Sequence, residues 1–325
     1  MTHPRLAAGA APGKVILFGE HAVVYGQPAV AAALGSGLGA TVEPDPEGPV
    51  LLIPRWGKGG LVARPSDGGE DAVTRGFAMA LEHLDLVGAP VRVTLDGELP
   101  LGVGLGSSAA FAVALLRALA DHRGEALAQA DLLSAAARVE GVFHGTPSGL
   151  DHTVVTLGGC LRYVRGTTPA FRTVQLAHSL PLVIAWAPRE GTTREAVAGV
   201  RARHDALPEH FNRLFQAMGA VAEAGIAALE AGDLATLGLL LNLNHGYLNA
   251  CGVSSIVNEQ MVALARRHGA LGAKLTGAGH GGAILALCPD QPARVARALT
   301  EAGFPALVTH IAPVPRVPTD AGKTE

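Results

Sequence analysis

Apolar positions recur along this chain with two periods, and the switches between them outline its elements. Val91, Val93 and Leu95 alternate with Arg92, Thr94 and Asp96, the pattern of a strand with one buried face. From Asp71 to Leu84 the apolar residues Val73, Phe77, Ala80, Leu81 and Leu84 fall at helical spacing. Short apolar runs predict further strands at Lys14–Phe18, Val30–Leu34, Val50–Ile53, Cys160–Val164 and Leu182–Trp186, and helices are predicted at Ser108–His122 and Glu125–Phe143. After Pro188 long helices dominate: Thr193–Arg203, Glu209–Glu230, Asp233–Leu248 and Ser254–His268. Asp233 and Ser254 suit N-caps, because their side-chain oxygens can accept from free helix amides. Strands at Ala273–Leu275, Gly282–Leu287 and Ala306–His310 complete the pattern, and the tail from Pro313, rich in proline and charge, is expected to fray. The whole reads as an α+β chain with a boundary near residue 180, which divides it into 1–180 and 181–325.

Composition narrows the possibilities. A chain of 325 residues is long for one simple core, and 49% hydrophobic against 16% charged residues favours burial over disorder. The net charge of -3 offers no basic excess, so nucleic acid is not expected as a partner. The longest apolar runs, such as Ala109–Leu116 before Arg117, fall well short of the roughly 20 residues of a membrane-spanning helix. With no signal-peptide block at the start, a cytoplasmic protein without a membrane partner is expected. Cys160, Cys251 and Cys288 match no zinc spacing and read as small buried hydrophobes.

Glycine clusters at three places: Gly13 to Gly19, Gly102 to Gly106 and Gly277 to Gly282. The middle one, Pro100-Leu101-Gly102-Val103-Gly104-Leu105-Gly106-Ser107-Ser108-Ala109-Ala110, lies between a strand and a helix. Alternate glycines let the backbone turn its amides inward, and the helix start adds free N–H groups, so the segment suits a di- or triphosphate. Ser107 and Ser108 supply hydroxyls at the helix start, one of which could ligate Mg2+. No lysine follows the last glycine, so this is not a Walker A loop. It lacks a convincing acidic partner for a dinucleotide site as well.

These eleven residues resemble the nucleotide-binding motif of the GHMP kinases. Two further segments resemble motifs of the same family in the same order. One runs from Ala11 to Gly26 and includes Gly19-Glu20-His21-Ala22-Val23-Val24; the other is Lys274-Leu275-Thr276-Gly277-Ala278-Gly279-His280-Gly281-Gly282. His144 to Asp151, with Glu140 upstream, and Thr193 to Arg201 are similar to segments of the branch that phosphorylates mevalonate. The resemblance implies a two-domain fold. Its N-terminal domain would be like the second domain of ribosomal protein S5, its C-terminal domain ferredoxin-like, and the site would lie in the cleft between them. It implies ATP and a small alcohol, mevalonate, as substrates, Mg2+ as cofactor, and pairing as a homodimer. Another acceptor of the family (phosphomevalonate, homoserine or a sugar), or an inert nucleotide-binding regulator, stands as an alternative.

By the same resemblance Asp151 is the catalytic base and Lys14 its partner, able to stabilise the substrate oxygen or the transferring phosphoryl group. Taken alone, Asp151 reads as a turn residue after Pro147-Ser148-Gly149. Glu140 and Ser108 would hold the metal, as hard oxygen donors suit Mg2+. Glu20 and His21 belong to the acceptor pocket, with His21 donating to the carboxylate or hydroxyls; Thr193 and Arg194 are candidates near the acceptor or phosphates. Gly277, Gly279, Gly281 and Gly282 would support the phosphate loop, and His280 stands where the family has glycine.

Overall fold

The computed structural model describes residues 6–56, 59–100, 102–144, 149–166 and 170–313. In chain order the first half holds β1 (Ala7–Phe18), β2 (Ala29–Pro44), β3 (Val50–Ile53), β4 (Leu61–Ala63), α1 (Ala72–His83), β5 (Val91–Gly97), α2 (Ser107–His122), α3 (Gln129–His144), α4 (Leu150–Leu157), β6 (Cys160–Val164) and β7 (Ala170–Val174). The second half holds β8 (Leu180–Ala187), α5 (Thr193–Ala206), α6 (Pro208–Ala231), α7 (Leu234–Ala250), α8 (Ile256–Arg267), β9 (Gly272–Leu275), β10 (Gly282–Leu287), α9 (Pro292–Glu301) and β11 (Ala306–Ile311).

The first sheet is organised by β2. It pairs with β1 along most of its length, with β6 through Ala29–Ala32, and with β5 through Leu38–Pro44. β4 and β3 extend one edge and β7 the other, and only β3 and β5 run parallel among the described strands. The β1–β2 register shifts between Pro12 and Lys14, a local irregularity of the kind that re-aims a side chain. The second sheet has the order β11-β8-β10-β9 and is antiparallel.

α2 is apolar all round, and such a helix must be covered on every side. Ala109 to Leu116 are fully buried, and Arg117 reaches out to donate to the carbonyls of Ala10 and Thr156. On β8, Leu182 and Ile184 join the core shared with the first sheet, while Val183 and Ala185 join a second cluster with Met261, Ile284 and Val295. Both faces are covered, which is why this strand reads as an apolar run rather than an alternation. The shared core takes in Val15, Phe18, Val221, Ile226, Leu237 and Leu285, so the two sheets do not sit on separate cores. α6 is long and apolar enough to cross a bilayer by hydropathy alone, yet half of its most apolar window is buried in the protein.

Some elements differ from expectation. α2 ends in a turn at which Gly124, at φ 76°, lets the Glu125 amide bond the Ala120 carbonyl, and α3 starts only at Gln129 rather than at Glu125. Asp151 stands in the first turn of α4 rather than in a turn. α9 is an additional helix, which buries Val295 and Leu299. Of the tail from Pro313, the residues from 314 onward lie outside the described residues, as do Leu101 and Gly145 to Ser148 of the motifs.

Candidate active site

Lys14 and Asp151 meet. The Lys14 ammonium lies 3.1 Å from Asp151 Oδ1, with the lysine side chain buried and the aspartate a quarter exposed. Lys14 is held by β1, where its backbone N–H donates to the Leu105 carbonyl and so fastens the strand to the glycine loop. Gly106 is required here. It adopts φ 71°, and a Cβ on it would lie 2.6 Å from Lys14 Cγ. Asp151 follows Gly149, at φ 86°, into the first turn of α4, where helix amides favour an anion.

The pair opens into a cavity of about 310 Å³. Gly102, Gly104, Gly106, Ser107 and Ser108 line it, so the N-terminus of α2 shares the cavity with the lysine–aspartate pair. Glu20, His21, Thr193 and Gly277 also line it. The other loop residues contribute differently. Val103, Leu105, Ala109 and Ala110 are buried beneath the loop, and Pro100 lines an adjoining groove with Leu99, Trp56 and Trp186.

The last glycine segment braces the Gly102–Gly106 loop from the second sheet. The Ala283 N–H donates to Val103 O, and a Cβ on Gly282 would lie 2.9 Å from that oxygen. Asn258 both donates to Gly281 O and accepts from Gly281 N–H, each at 2.9 Å, which fixes the turn on the start of α8. His280 sits at φ 53°, in the left-handed region that glycine enters freely and histidine with some cost. Its backbone is held at both ends, donating to Val253 O and accepting from Glu190 N–H.

Glu20 and His21 border the cavity in unexpected ways. The Glu20 carboxylate pairs with the fully buried ammonium of Lys274 and accepts from Asn244 Nδ2 at 3.2 Å. Its oxygens are therefore committed to β9 and α7 although the residue borders the cavity. Lys274 also donates to Ile16 O and Leu275 O, and burial pulls its pKa down against the opposing pull of Glu20. His21, at φ 60°, lies 3.0 Å through Nε2 from the Ala278 carbonyl. Burial lowers its pKa to about 4, so the ring is neutral near pH 7. Nε2–H then donates to that carbonyl and Nδ1 is left as an acceptor. With its N–H committed to Ala278 O, the ring has an acceptor nitrogen and no second N–H, which differs from the donor expected of it.

Thr193 lines the cavity at the start of α5, whereas Arg194, the next residue around the helix, is exposed and does not. Arg189 lines it instead, with both terminal nitrogens 3.2 Å from Thr193 Oγ1. It lies in the connection after β8, without a motif signal of its own beyond a cation near Thr193. Lys274 was visible as part of the glycine motif, but only its partner, more than two hundred positions away, reveals its role. Glu140 is buried and does not line the cavity; it lies on α3 one turn before Phe143, which does. Its Oε2 is 2.5 Å from His152 Nδ1. The three cysteines are buried with their thiols pushed up to about 12, which leaves them unreactive.

The family described as GHMP kinases N terminal domain matches residues 72–159, and that described as GHMP kinases C terminal matches residues 226–305. The chain is 37% identical to the mevalonate kinase of Thermococcus onnurineus over 320 residues, covering 93% of this chain and 95% of the relative. It is 38% identical to that of Methanothermobacter thermautotrophicus over 284 residues, covering 87% and 90%. The structure of L. major mevalonate kinase in complex with R-mevalonate superposes with a TM-score of 0.83 at 30% identity, over 96% of this chain and 97% of that one. The Methanococcus jannaschii mevalonate kinase shares the fold with a TM-score of 0.81 at 23% identity, over 95% and 99%.

Proposed function

The chain belongs to the GHMP kinase family, and from that premise we propose that it transfers the γ-phosphoryl group of ATP to the 5-hydroxyl of mevalonate. It is an ATP-dependent phosphotransferase with an alcohol acceptor and the two-domain fold of its family. The observation that carries the residue-level reading is the Lys14–Asp151 pair, 3.1 Å apart, in one cavity with the N-terminus of α2.

The acceptor hydroxyl lies against Asp151, which takes its proton as the oxygen–phosphorus bond forms and the bond to the leaving ADP breaks. The proton moves late, after bond formation has acidified the hydroxyl. Lys14 and the positive end of α2 offset the charge gathering on the phosphoryl oxygens. His21 accepts from a substrate hydroxyl, and Arg189 with Thr193 supplies cationic and polar contacts for the acceptor carboxylate or the phosphates. The groove of Trp56, Leu99, Pro100 and Trp186 offers apolar walls for the base of the nucleotide.

Mg2+ fits this donor set. Among the described residues no three acidic, histidine or cysteine side chains converge, so an all-protein cage is not what the site offers. One buried carboxylate, Glu140, and one hydroxyl, Ser108, suit an ion that arrives on phosphate oxygens and keeps several waters. When bound, the ion would neutralise charge on the bridging phosphates. A soluble cytoplasmic enzyme, able to form homodimers, belongs to the same reading.

Purified protein supplied with ATP and, in turn, mevalonate, phosphomevalonate, homoserine and galactose tests it through coupled ADP release. Turnover is expected with mevalonate. Strong turnover of another acceptor with none of mevalonate would overturn the assignment.

A further inference from the structure

We propose that His152 is a positioning residue: its Nδ1–H orients the carboxylate of Glu140 for the metal and ties the helix of the base to the helix of the metal ligand. The proposal rests on the reading of Glu140 as a protein ligand to Mg2+. Its basis is one contact between two buried side chains, His152 Nδ1 to Glu140 Oε2 at 2.5 Å. A carboxylate that serves as a metal ligand accepts, so in this reading the imidazole donates. His152 directly follows Asp151 in α4, and Glu140 lies on α3, so this bond spans the two helices that carry the base and the ligand.

The physical need is specific. The last torsion of a glutamate is broad and roughly two-fold, so a buried carboxylate without a fixed neighbour has no single orientation. A donor on Oε2 sets the plane of the group and leaves the lone pairs of Oε1 for another partner. Donors of this kind, outside the coordination sphere, typically change metal affinity by about 10–100-fold. The four groups that the transfer itself calls on, Lys14, Ser108, Glu140 and Asp151, do not require a histidine at 152. The contact with Glu140 gives it a role.

The test uses the full-length protein with a non-hydrolysable ATP analogue and Mn2+ as the probe, free Mn2+ being read by electron paramagnetic resonance. His152→Leu, which removes the donor, is expected to raise the half-saturating Mn2+ concentration about tenfold. His152→Asn, whose amide nitrogen hangs from the same Cγ as the imidazole Nδ1, is expected to restore most of that loss. Nucleotide binding without metal should be unchanged in both. A folded His152→Leu that binds Mn2+ like the parent, while Glu140→Gln binds it poorly, would overturn this inference alone. An asparagine variant as weak as the leucine one would overturn it too, because the ring rather than the donor would then matter. Parent-like Mn2+ binding by Glu140→Gln would instead remove the ligand reading beneath it. Should the leucine variant not fold, His152→Ala takes its place.

Discussion

At the scale of single residues, the site depends on groups whose chemistry is set by what surrounds them. Asp151 and Lys14 act as a pair, and the pair exists because Gly106 leaves space for the lysine stem. Asp151→Asn keeps the shape and removes the proton acceptor, so kcat should fall by about 10²–10⁴-fold. ATP binding, read by isothermal titration, should persist; near-parent turnover in that variant would disqualify Asp151 as base. His21 illustrates the limit of a motif. The Gly19-Glu20-His21 segment points to a place at the cavity, which His21 lines, but not to its hydrogen-bond role. Burial and the Ala278 carbonyl together make it a neutral acceptor. Arg194 and Arg189 make the same point: the nearby sequence gives both a positive charge, and only helix phase and the path of the preceding loop decide which one meets the cavity.

At the scale of elements, β1 is the member on which the others converge. Thr276 Oγ1 accepts from Ile16 N–H and donates back to Ile16 O, while Lys274 reaches the same carbonyl and then Glu20. These bonds fasten the first glycine segment to β9 of the second sheet. Removing one member of a buried ion pair strands the other charge, at a cost of about 3–5 kcal/mol. Lys274→Met should therefore lower the thermal midpoint well below that of the parent. The double variant Lys274→Met with Glu20→Gln, which strands no charge, should recover part of the loss. If the double variant were no more stable than the single one in calorimetry, the pair would not be acting as a unit. The same elements explain what periodicity missed. α4 has eight residues and begins beside a glycine motif, so its apolar spacing is too short to read as a helix.

At the scale of the whole molecule, burial of neutral histidines couples stability to pH. Burial pulls the pKa of both His21 and His245 from 6.5 to about 4. His245 accepts from Leu275 N–H, and its Nε2 lies 3.2 Å from Glu259 without the alignment of a hydrogen bond. Below pH 6.5 the unfolded chain takes up protons that the folded one refuses, so this stability is complete above pH 6.5 and is lost as pH falls toward 4. Each group can contribute about 3 kcal/mol across that window. Urea midpoints measured through it should fall with pH, and His245→Asn, which keeps an acceptor for Leu275, should make the fall shallower. An unchanged slope would count against a neutral buried His245.

By itself the sequence determined the family and the order of most strands and helices, and it picked out the glycine loop and the Lys14 and Asp151 that the fold brings together. The elements follow from periodicity and the loop from glycine spacing, both local causes, whereas the family and the choice of lysine and aspartate follow from the resemblance of the motifs. Only the tertiary structure decided that Glu20 is committed to Lys274, that His21 accepts, that Arg189 rather than Arg194 reaches the cavity, and that His152 stands behind Glu140. Each of those depends on a partner distant in the chain or on the direction a helix presents, and no local pattern encodes either.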